Sequence, residues 1–320
     1  MAGKTSISWA TAVWNATTGC TRVSDGCMSC YAFALHDKRY ASNRKAARDE
    51  GILGTNGVPD SEQARVQAPW VLPYPKQYDK PFSTVQLMPE RLDWPLRHKK
   101  PERIFVDSMS DLWHEDVPDA FITDVFAVMA LATWHTFLVL TKRPERMREF
   151  IAGPLRHEMG RPYTVEEVRA GEPAGRHYQS VPTWPIPNVW LGVSVENQAA
   201  ADERIPNLLA TPAAVRFLSC EPLLGPVDLT AVLGGTLDAL AGDRKTTSGE
   251  VFAGGHGIDW VLVGGESGPR HRPMNIAWVE SLVKQCKSAG VAVFVKQDGA
   301  ARPGQQGRIP EELWLHEFPT

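Results

Sequence analysis

Three of the five cysteines in this 320-residue chain lie within eleven positions, in the segment GCTRVSDGCMSC at residues 19–30. Six residues separate Cys20 from Cys27, and two residues separate Cys27 from Cys30. Thiolates grouped in one short loop are typical ligands of zinc or of an iron–sulfur cluster, and a closed structural metal site usually has four protein ligands. Three cysteines therefore leave one coordination position for another group.

Two interpretations of the missing ligand stay open on these residues alone. His36 follows Cys30 by six positions, and three cysteines with one histidine form a standard structural zinc set. The other interpretation is a site whose fourth position is kept for a small molecule. The cysteine spacing is unlike that of a paired zinc knuckle, which favours the open site.

The composition limits the class of protein. The chain is 43% hydrophobic and 22% charged, with a formal net charge of -3. No segment reaches the roughly 20 apolar residues that span a bilayer, and the start lacks the apolar region of a signal peptide. We therefore expect a cytoplasmic protein with no membrane partner, in which disulfides are rare. The basic run RHKKPER at 97–103 is interpreted as a solvated face, because the net charge gives no nucleic-acid footprint.

Six short apolar runs recur after residue 103, each followed by a polar cluster and a stretch with helical spacing. The runs are RIFVDSMSD (103–111), TFLVLTKRP (136–144), VWLGVSVEN (189–197), VRFLSCEPL (215–223), DWVLVGGESG (259–268) and VAVFVKQDG (291–299). An early strand near ISWATAVWN (7–15) would precede the cysteine loop and make about seven. Strands that alternate with helices predict an α/β fold with a parallel sheet covered on both faces. Because neither a GxGxxG turn nor a P-loop follows a strand, we predict a complete or partial barrel.

Two of the intervening helices are indicated by their apolar spacing. In PDAFITDVFAVMALA (118–132) and AWVESLVKQCKSAG (277–290), apolar residues recur at i, i+3, i+4 and i+7. This spacing places Cys286 in the core, and Gly290 is the expected end of the second helix.

Three stretches interrupt the repeat, at about 44–95, 153–187 and 234–257. Long loops inside a compact fold are usually functional lids or partly disordered insertions. We therefore predict a single barrel domain over residues 1–320 that carries these three insertions.

Polar residues follow each predicted strand. In a parallel barrel the active site is built from the loops at the carboxyl ends of the strands. These ends supply Asp107, Ser108, Ser110, Asp111, Thr141, Lys142, Arg143, Ser194, Glu196, Asn197, Ser219, Cys220, Glu221, Gly264, Gly265, Glu266, Ser267, Lys296, Gln297 and Asp298. We expect all six clusters, and the cysteine loop, to meet at one rim.

Seven motifs of the chain resemble those of a known family. They are WNATTGCTRVSDGCMSCYA, FVDSMSDLWHEDVP, HTFLVLTKRPERM, VWLGVSVENQ, RFLSCEPLLGPVDL, WVLVGGESGPRHRPM and VFVKQDG. In this order they resemble the motifs of a phage-associated, largely uncharacterised three-cysteine family that is grouped with the radical S-adenosylmethionine (radical SAM) enzymes. The commonest cysteine spacing in those enzymes has fewer residues between the first two cysteines.

The resemblance implies a partial (β/α) barrel and two cofactors. Cys20, Cys27 and Cys30 would bind a 4Fe-4S cluster, whose fourth iron is left for the amino and carboxylate groups of SAM. An external electron donor would reduce the cluster. Tyr31, next to the last ligand, could pack over it.

The resemblance also implies roles for the strand ends. The residues placed to receive the methionyl amino group are Ser108, Met109, Ser110 and Asp111. Those placed to hold the ribose hydroxyls are Ser194, Glu196 and Asn197. Those that could bind the SAM carboxylate or an anionic substrate are Lys142 and Arg143. The candidate catalytic residues on the substrate side are Cys220, Glu221, Glu266 and Lys296. Each polar residue could instead tie loops together, and Cys220 is favoured as packing over hydrogen-atom donation.

The leading functional hypothesis is a radical SAM enzyme that modifies or isomerises its substrate. That substrate could be a nucleotide, a nucleic-acid base or an amino-acid adduct of one. It could be a small molecule or part of a nucleic acid. One alternative is a zinc-binding, nucleic-acid-associated protein without radical chemistry. Another is a non-catalytic partner of phage or defence proteins. The sequence leaves the oligomeric state open.

Overall fold

The computed structural model describes residues 2–49, 76–153, 184–246, 250–252 and 254–320 of the chain. Its main strands form from the apolar runs, because β-branched and aromatic side chains pack well on a pleated, buried surface. In chain order the strands are β1 (Ala2–Lys4), β2 (Ala12–Trp14), β3 (Thr17–Thr18), β4 (Gln86–Leu87), β5 (Arg103–Val106), β6 (Thr136–Thr141), β7 (Val189–Ser194), β8 (Val215–Cys220), β9 (Leu237–Asp238), β10 (Asp243–Lys245), β11 (Val251–Phe252), β12 (Trp260–Gly264) and β13 (Ala292–Gln297).

Eight of these strands form one sheet in the order β1-β2-β5-β6-β7-β8-β12-β13. Strand β1 is antiparallel to β2, and every other neighbouring pair is parallel. The predicted α/β class, with a mainly parallel sheet and seven parallel strands, is therefore confirmed. The order is linear with β1 and β13 at its edges, so the described residues show no closed barrel.

The helices connect successive strands. They are α1 (Tyr31–Asp49), α2 (Trp94–Arg97), α3 (Asp119–Leu131), α4 (Pro144–Ala152), α5 (Gln198–Leu209), α6 (Val232–Gly235) and α7 (Ile276–Ala289). Short 3₁₀ turns lie at Asp25–Cys27, Lys76–Tyr78, Pro89–Arg91 and Glu311–Leu313. None of the helices in the described ranges is long and apolar enough to cross a membrane.

Both helices predicted from apolar spacing are confirmed as α3 and α7. Helix α3 buries Ile122, Val125 and the rest of its apolar stripe, and Pro118 lies at its N-cap. Helix α7 buries Cys286 and ends at Gly290, whose φ of 69° lies in the left-handed region that favours glycine.

The two faces of the sheet carry different cores, because successive side chains of a strand point to opposite faces. Ile104 and Val106 of β5 belong to the larger cluster, which also contains the buried side chains of α3 and α7. The opposite face, which we call the aromatic face, bears a second cluster. Its members are Trp9, Ala10, Val13, Phe105, Leu138, Phe217, Trp260, Leu262 and Phe294.

A glycine makes room for one ring of the aromatic face. A Cβ atom on Gly192 of β7 would lie 2.5 Å from the ring of Phe217 on the neighbouring strand β8. The ring occupies the space that a side chain at position 192 would fill. The ring centroids of Phe217 and Trp260 lie 5.9 Å apart, within the usual range for aromatic pairs.

The three predicted insertions are partly described. The segments 50–75 and 154–183 lie outside the described residues, as do residues 247–249 and 253. Helix α1 reaches into the first predicted insertion as far as Asp49. In the third, β9, β10 and β11 form a small antiparallel sheet.

The two edges of the central sheet differ. Strand β1, which pairs with β2, is the outermost strand at one edge. Along the other, the Val295 N–H of β13 donates to the Leu315 carbonyl at 2.7 Å, and the Glu317 N–H donates to the Val293 carbonyl at 3.1 Å. The segment 315–317 therefore lies against β13.

Candidate functional site

A cavity of about 210 Å³ opens where the parallel strands end. Polar residues from the ends of β5, β6, β7, β8, β12 and β13 line it. They are Asp107, Ser108, Ser110, Asp111, Thr141, Lys142, Arg143, Ser194, Ser219, Glu221, Glu266, Ser267 and Lys296. The prediction that six strand ends converge on one rim is therefore confirmed.

The three clustered cysteines line the same cavity. Cys20, Cys27 and Cys30 are each partly exposed, and all five cysteines of the chain are free thiols. The loop follows β2 and β3, so its place at the carboxyl end of the sheet results from the chain order. The sulfur-bearing loop and the polar strand ends thus form one site.

On its first side, the loop is fixed by backbone contacts. The Gly19 N–H donates to the Met109 carbonyl at 3.1 Å, and the Cys20 N–H donates to the Phe82 carbonyl at 2.8 Å. Gly19 has a φ of 94°, and a Cβ atom there would lie 2.3 Å from the Thr84 carbonyl oxygen. Both the torsion and the close approach require glycine at this position.

The second side of the loop packs on Glu196. A Cβ atom on Gly26 would lie 2.3 Å from Glu196 Oε1, and the Ser24 hydroxyl donates to the same oxygen at 2.7 Å. The Arg272 guanidinium also donates to the Asp25 carbonyl, at 2.9 Å. The cysteine loop is therefore held across the rim to the ends of β7 and β12.

Glu196 is a buried carboxylate that forms ion pairs with two cationic side chains. Its carboxylate pairs with Lys142 Nζ at 3.0 Å and with Arg204 Nη1 at 2.9 Å. Burial alone would raise the pKa of Glu196, but Lys142 and Arg204 outweigh burial and hold this pKa below its ordinary value. Lys142, predicted as a ligand of an anion, thus already has an internal partner.

Arg143 connects a cysteine sulfur to a carboxylate. Its guanidinium donates to Cys20 Sγ at 3.6 Å, to Asp111 Oδ2 at 3.3 Å and to the Thr21 hydroxyl at 2.8 Å. Burial and Asp111 raise the pKa of the Cys20 thiol to about 11, against the opposing effect of Arg143. Without a metal, this thiol keeps its proton at neutral pH.

Asp107 is a buried acid that the sequence analysis placed among the strand ends but gave no role in the site. It has a positive φ of 56°, and its two oxygens accept hydrogen bonds from the Thr17 N–H and hydroxyl, both at 2.9 Å. Burial raises its pKa to about 7, although the bonds from Thr17 act in the opposite direction. Its position at the end of β5, one residue before the predicted set, was the available signal.

Two further ion pairs lie on the predicted substrate side. Lys296 contacts Glu221 directly, and the Gln297 amide donates to the same carboxylate at 3.3 Å. Gly264 of β12 lies between them in the sheet, where a Cβ atom would contact Glu221 at 3.5 Å. Because Gly264 has no side chain, the side chains of Glu221 and Lys296 can meet above the middle strand β12.

Glu266 forms the second of these pairs. Its carboxylate accepts from the Arg272 guanidinium at 2.6 Å and from the Arg272 backbone N–H at 2.8 Å. Burial would raise the pKa of Glu266, but these hydrogen bonds hold it below its ordinary value. Glu266 is therefore an ionised member of the cavity wall.

Four predicted site residues lie outside the cavity lining. Met109 packs with Ala32 and Phe82. Glu196 lies beneath the cysteine loop, and Asn197 caps α5 by accepting from the Ala200 N–H at 3.0 Å. The Cys220 thiol is fully buried in the larger core cluster, where burial raises its pKa. This is the packing position that was favoured for Cys220.

His36, the candidate fourth zinc ligand, lies away from the thiols. Its Nε2 lies 2.7 Å from the Gln77 carbonyl oxygen, and its ring packs 5.2 Å from the Phe82 ring centroid. It is fully buried and does not line the cavity. Within the described ranges, no group of three or more His, Cys, Asp or Glu side chains is arranged to hold a metal ion.

A family model described as "Protein of unknown function (DUF5131)" matches residues 4–313. The chain belongs to the DUF5131 family. The match extends from β1 to the last 3₁₀ turn and includes the cysteine loop and every strand end of the site. No curated protein and no solved structure is similar enough to this DUF5131 chain to count as a match. Its function must therefore be inferred from the site.

Proposed function

We propose that this DUF5131 chain is a radical SAM enzyme, in which Cys20, Cys27 and Cys30 hold a 4Fe-4S cluster and the adjoining cavity receives SAM. One observation carries the proposal. Three thiols from a single loop line the cavity at the carboxyl ends of the parallel strands. Among the described residues, neither a fourth cysteine nor a histidine lines that cavity, so the fourth position suits an external ligand.

The donor set fits an iron–sulfur cluster better than a closed zinc site. Cysteine thiolates are the usual ligands of such clusters, and His36 faces Gln77 instead of the thiols. Since the described residues hold no preformed metal group, cluster assembly on this loop would be coupled to thiol deprotonation and local rearrangement. In this proposal the open sheet is the partial barrel of the radical SAM type.

Bound together, a reduced 4Fe-4S cluster and SAM supply the electron and the 5′-deoxyadenosyl radical with which this enzyme class abstracts hydrogen. The chain itself would shield that chemistry from water. Ile7, Trp9, Phe105 and Leu140 give the cavity an apolar wall. Excluding water from a site suppresses side reactions of reactive species.

The charged residues of the chain would orient the two ligands. Lys142 and Arg143 are already paired with carboxylates, so their first task is to fix the loop and the rim. Glu221, Glu266 and Lys296 form the wall left for a substrate, which we propose to be a nucleotide, a nucleic-acid base or an amino-acid adduct. The proposal includes an external electron donor and a cytoplasmic location.

The test is a metal and turnover assay on protein purified without oxygen. We expect a brown protein with about four irons per chain, and 5′-deoxyadenosine formed from SAM after reduction with dithionite. Cys27→Ala should lose iron and turnover. The matched control Cys286→Ala, which removes a core thiol remote from the cavity, should keep both. A colourless protein with no iron would contradict the proposal.

A second variant separates the cluster from zinc. If a zinc ion were closed by the three thiols and His36, then His36→Gln would release it. In a radical SAM enzyme, the folded His36→Gln protein should retain its iron, because His36 bonds Gln77 and not the cluster. One tightly held zinc per chain, lost in this variant, would favour the zinc protein.

A further inference from the structure

Seven large apolar side chains are strongly exposed in the described part of the chain, and four of them lie within residues 23–35. These four, which we call the loop patch, are Val23, Met28, Tyr31 and Leu35. Single exposed apolar residues are ordinary on a protein surface, whereas a cluster of them marks an interaction site. The loop patch comprises the cysteine loop and the first turns of α1.

Basic residues extend the loop patch along α1. Tyr31, Leu35, Lys38 and Lys45 are spaced by four, three and seven positions, so they share one face of the helix, and all four are exposed. Lys45 Nζ pairs with Asp49 Oδ2 at 3.0 Å on this face. With five basic and two acidic residues, α1 still carries an excess of three basic residues, although the whole chain has a net charge of -3. An apolar centre with a basic extension is thus a local feature of this surface.

The loop patch is continuous with the candidate site. Val23 and Tyr31 line the cavity together with Cys27 and Cys30. The Tyr31 hydroxyl also donates to the Ser108 carbonyl at 2.7 Å, which fixes this side chain at the rim. A molecule bound on the loop patch would therefore lie directly beside the cysteine thiols.

We propose that the loop patch and the basic face of α1 bind an acidic, one-electron carrier protein. This inference rests on the proposed function, which requires an electron delivered to the cysteine loop. The carrier is oxidised by one electron, and SAM is reduced by it as a carbon–sulfur bond breaks to give methionine and the 5′-deoxyadenosyl radical.

The chemistry of the surface selects this partner. Protein interfaces combine an apolar core with a charged rim, which is the arrangement of Leu35 between Tyr31 and Lys38. Opposite charges on two proteins speed their encounter and fix their orientation. The basic residues of α1 match a negatively charged partner, and the exposed apolar centre matches a folded protein surface better than a nucleic-acid backbone.

The test uses the full chain with its cluster and a plant-type 2Fe-2S ferredoxin as the acidic probe. Leu35→Glu combined with Lys38→Glu reverses the charge of the surface and removes its apolar centre. We expect ferredoxin-driven formation of 5′-deoxyadenosine to fall about tenfold or more, and the dithionite-driven rate to stay unchanged. Binding of ferredoxin to the parent protein should weaken as salt is raised.

A matched control changes the same residue types elsewhere. Leu233 and Lys284 are both exposed, and Leu233→Glu with Lys284→Glu should keep ferredoxin binding and the ferredoxin-driven rate. Loss of both rates in the Leu35 and Lys38 variant, or no saturable ferredoxin binding by the parent protein, overturns the inference. Binding of single-stranded RNA without ferredoxin binding overturns it in favour of a nucleic-acid surface.

The outcome for the surface is separable from the outcome for the proposed function. Ferredoxin binding is measured apart from turnover, by the shift of a fluorescent label on the iron-loaded chain. A chain that never assembles iron contradicts the proposed function. A chain that assembles iron and forms 5′-deoxyadenosine with dithionite, but does not bind ferredoxin, keeps the proposed function and rejects the docking surface.

Discussion

The two ends of the aromatic face have opposite chemistry, although the same strands build both. At the amino end of the parallel strands, Phe105, Trp260 and Phe294 pack as an apolar layer. Asp107 and Lys296 follow Phe105 and Phe294 by two positions, and Gly264 follows Trp260 by four. One end of the face is thus a core and the other is the wall of the cavity.

Stability and chemistry therefore depend on opposite ends of the same strands. Burial of large apolar side chains stabilises the fold, whereas buried polar and charged groups stabilise it little once their desolvation is counted. Substitutions in the apolar layer should therefore act on unfolding. Substitutions at the rim should act on function, with smaller effects on stability.

The largest expected effect is in the apolar layer. Trp260 is fully buried and contacts several rings of the aromatic face. Trp260→Ala should lower the free energy of unfolding by about 3 to 5 kcal/mol, measured by urea denaturation. If this variant does not fold, Trp260→Phe should still show a smaller loss. The exposed Phe252→Ala is the control, and an equal loss in it would break the contrast.

Overpacking of the same layer should have the next largest effect. A methyl group at Gly192 would collide with the Phe217 ring, so Gly192→Ala should destabilise the protein by about 3 kcal/mol. Among the described residues, no atom beyond its chain neighbours lies within 4 Å of a Cβ atom built on Gly255, which makes Gly255→Ala the matched control. Thermal unfolding of both variants measures the difference. Equal midpoints would show that the Phe217 ring can move aside.

At the rim, a substitution should separate function from stability. Lys296→Met removes the cation beside Glu221, and the Gln297 amide still donates to that carboxylate. We expect a loss of about 1 to 2 kcal/mol in the free energy of unfolding. If the proposed function holds, iron content should stay unchanged and substrate turnover should fall. A loss as large as that of Trp260→Ala would show that the rim is part of the core.

The effect expected at Asp107 depends on pH. Folding raises the pKa of Asp107 to about 7, so its contribution to stability is full below its ordinary pKa of 3.8 and is lost as pH rises through 7. Asp107→Asn resembles the protonated acid: its amide oxygen can accept from the Thr17 N–H, and its amide nitrogen can donate to the Thr17 hydroxyl, which reverses the second bond. Relative to the parent protein, its melting temperature should therefore rise by a few degrees between about pH 4 and about pH 7. A constant difference would refute this titration.

The sheet was predictable because its strands are apolar runs between recognisable helices. Which face of the sheet each side chain occupies was not predictable. Ile104 and Phe105 are both apolar, and a strand buried on both sides shows no alternation of polar and apolar residues. Strands β3 and β4 have only two residues each, too few for a pattern. The residues that meet at the rim were predictable, because the parallel strands of one sheet all end on the same side.

The pairing of the rim residues could not be read from the sequence. Ser24 and Glu196 are 172 positions apart, and Arg143 meets Cys20 across 123. Such pairs depend on side-chain directions at strand ends, which composition does not encode. Lys142 was therefore expected to meet an anionic ligand, while the structure gives it Glu196 as a partner.

The covered β13 edge of the central sheet has a consequence for the behaviour of the protein in concentrated solution. An uncovered edge strand offers a row of free amide and carbonyl groups on which a second molecule can continue the ladder. Here the segment 315–317 covers the β13 edge, and the strand at the opposite edge, β1, is only three residues long. Displacing residues 315–317 would expose β13 as a template for aggregation, so fusions close to this segment should promote self-association long before they disturb the cysteine loop.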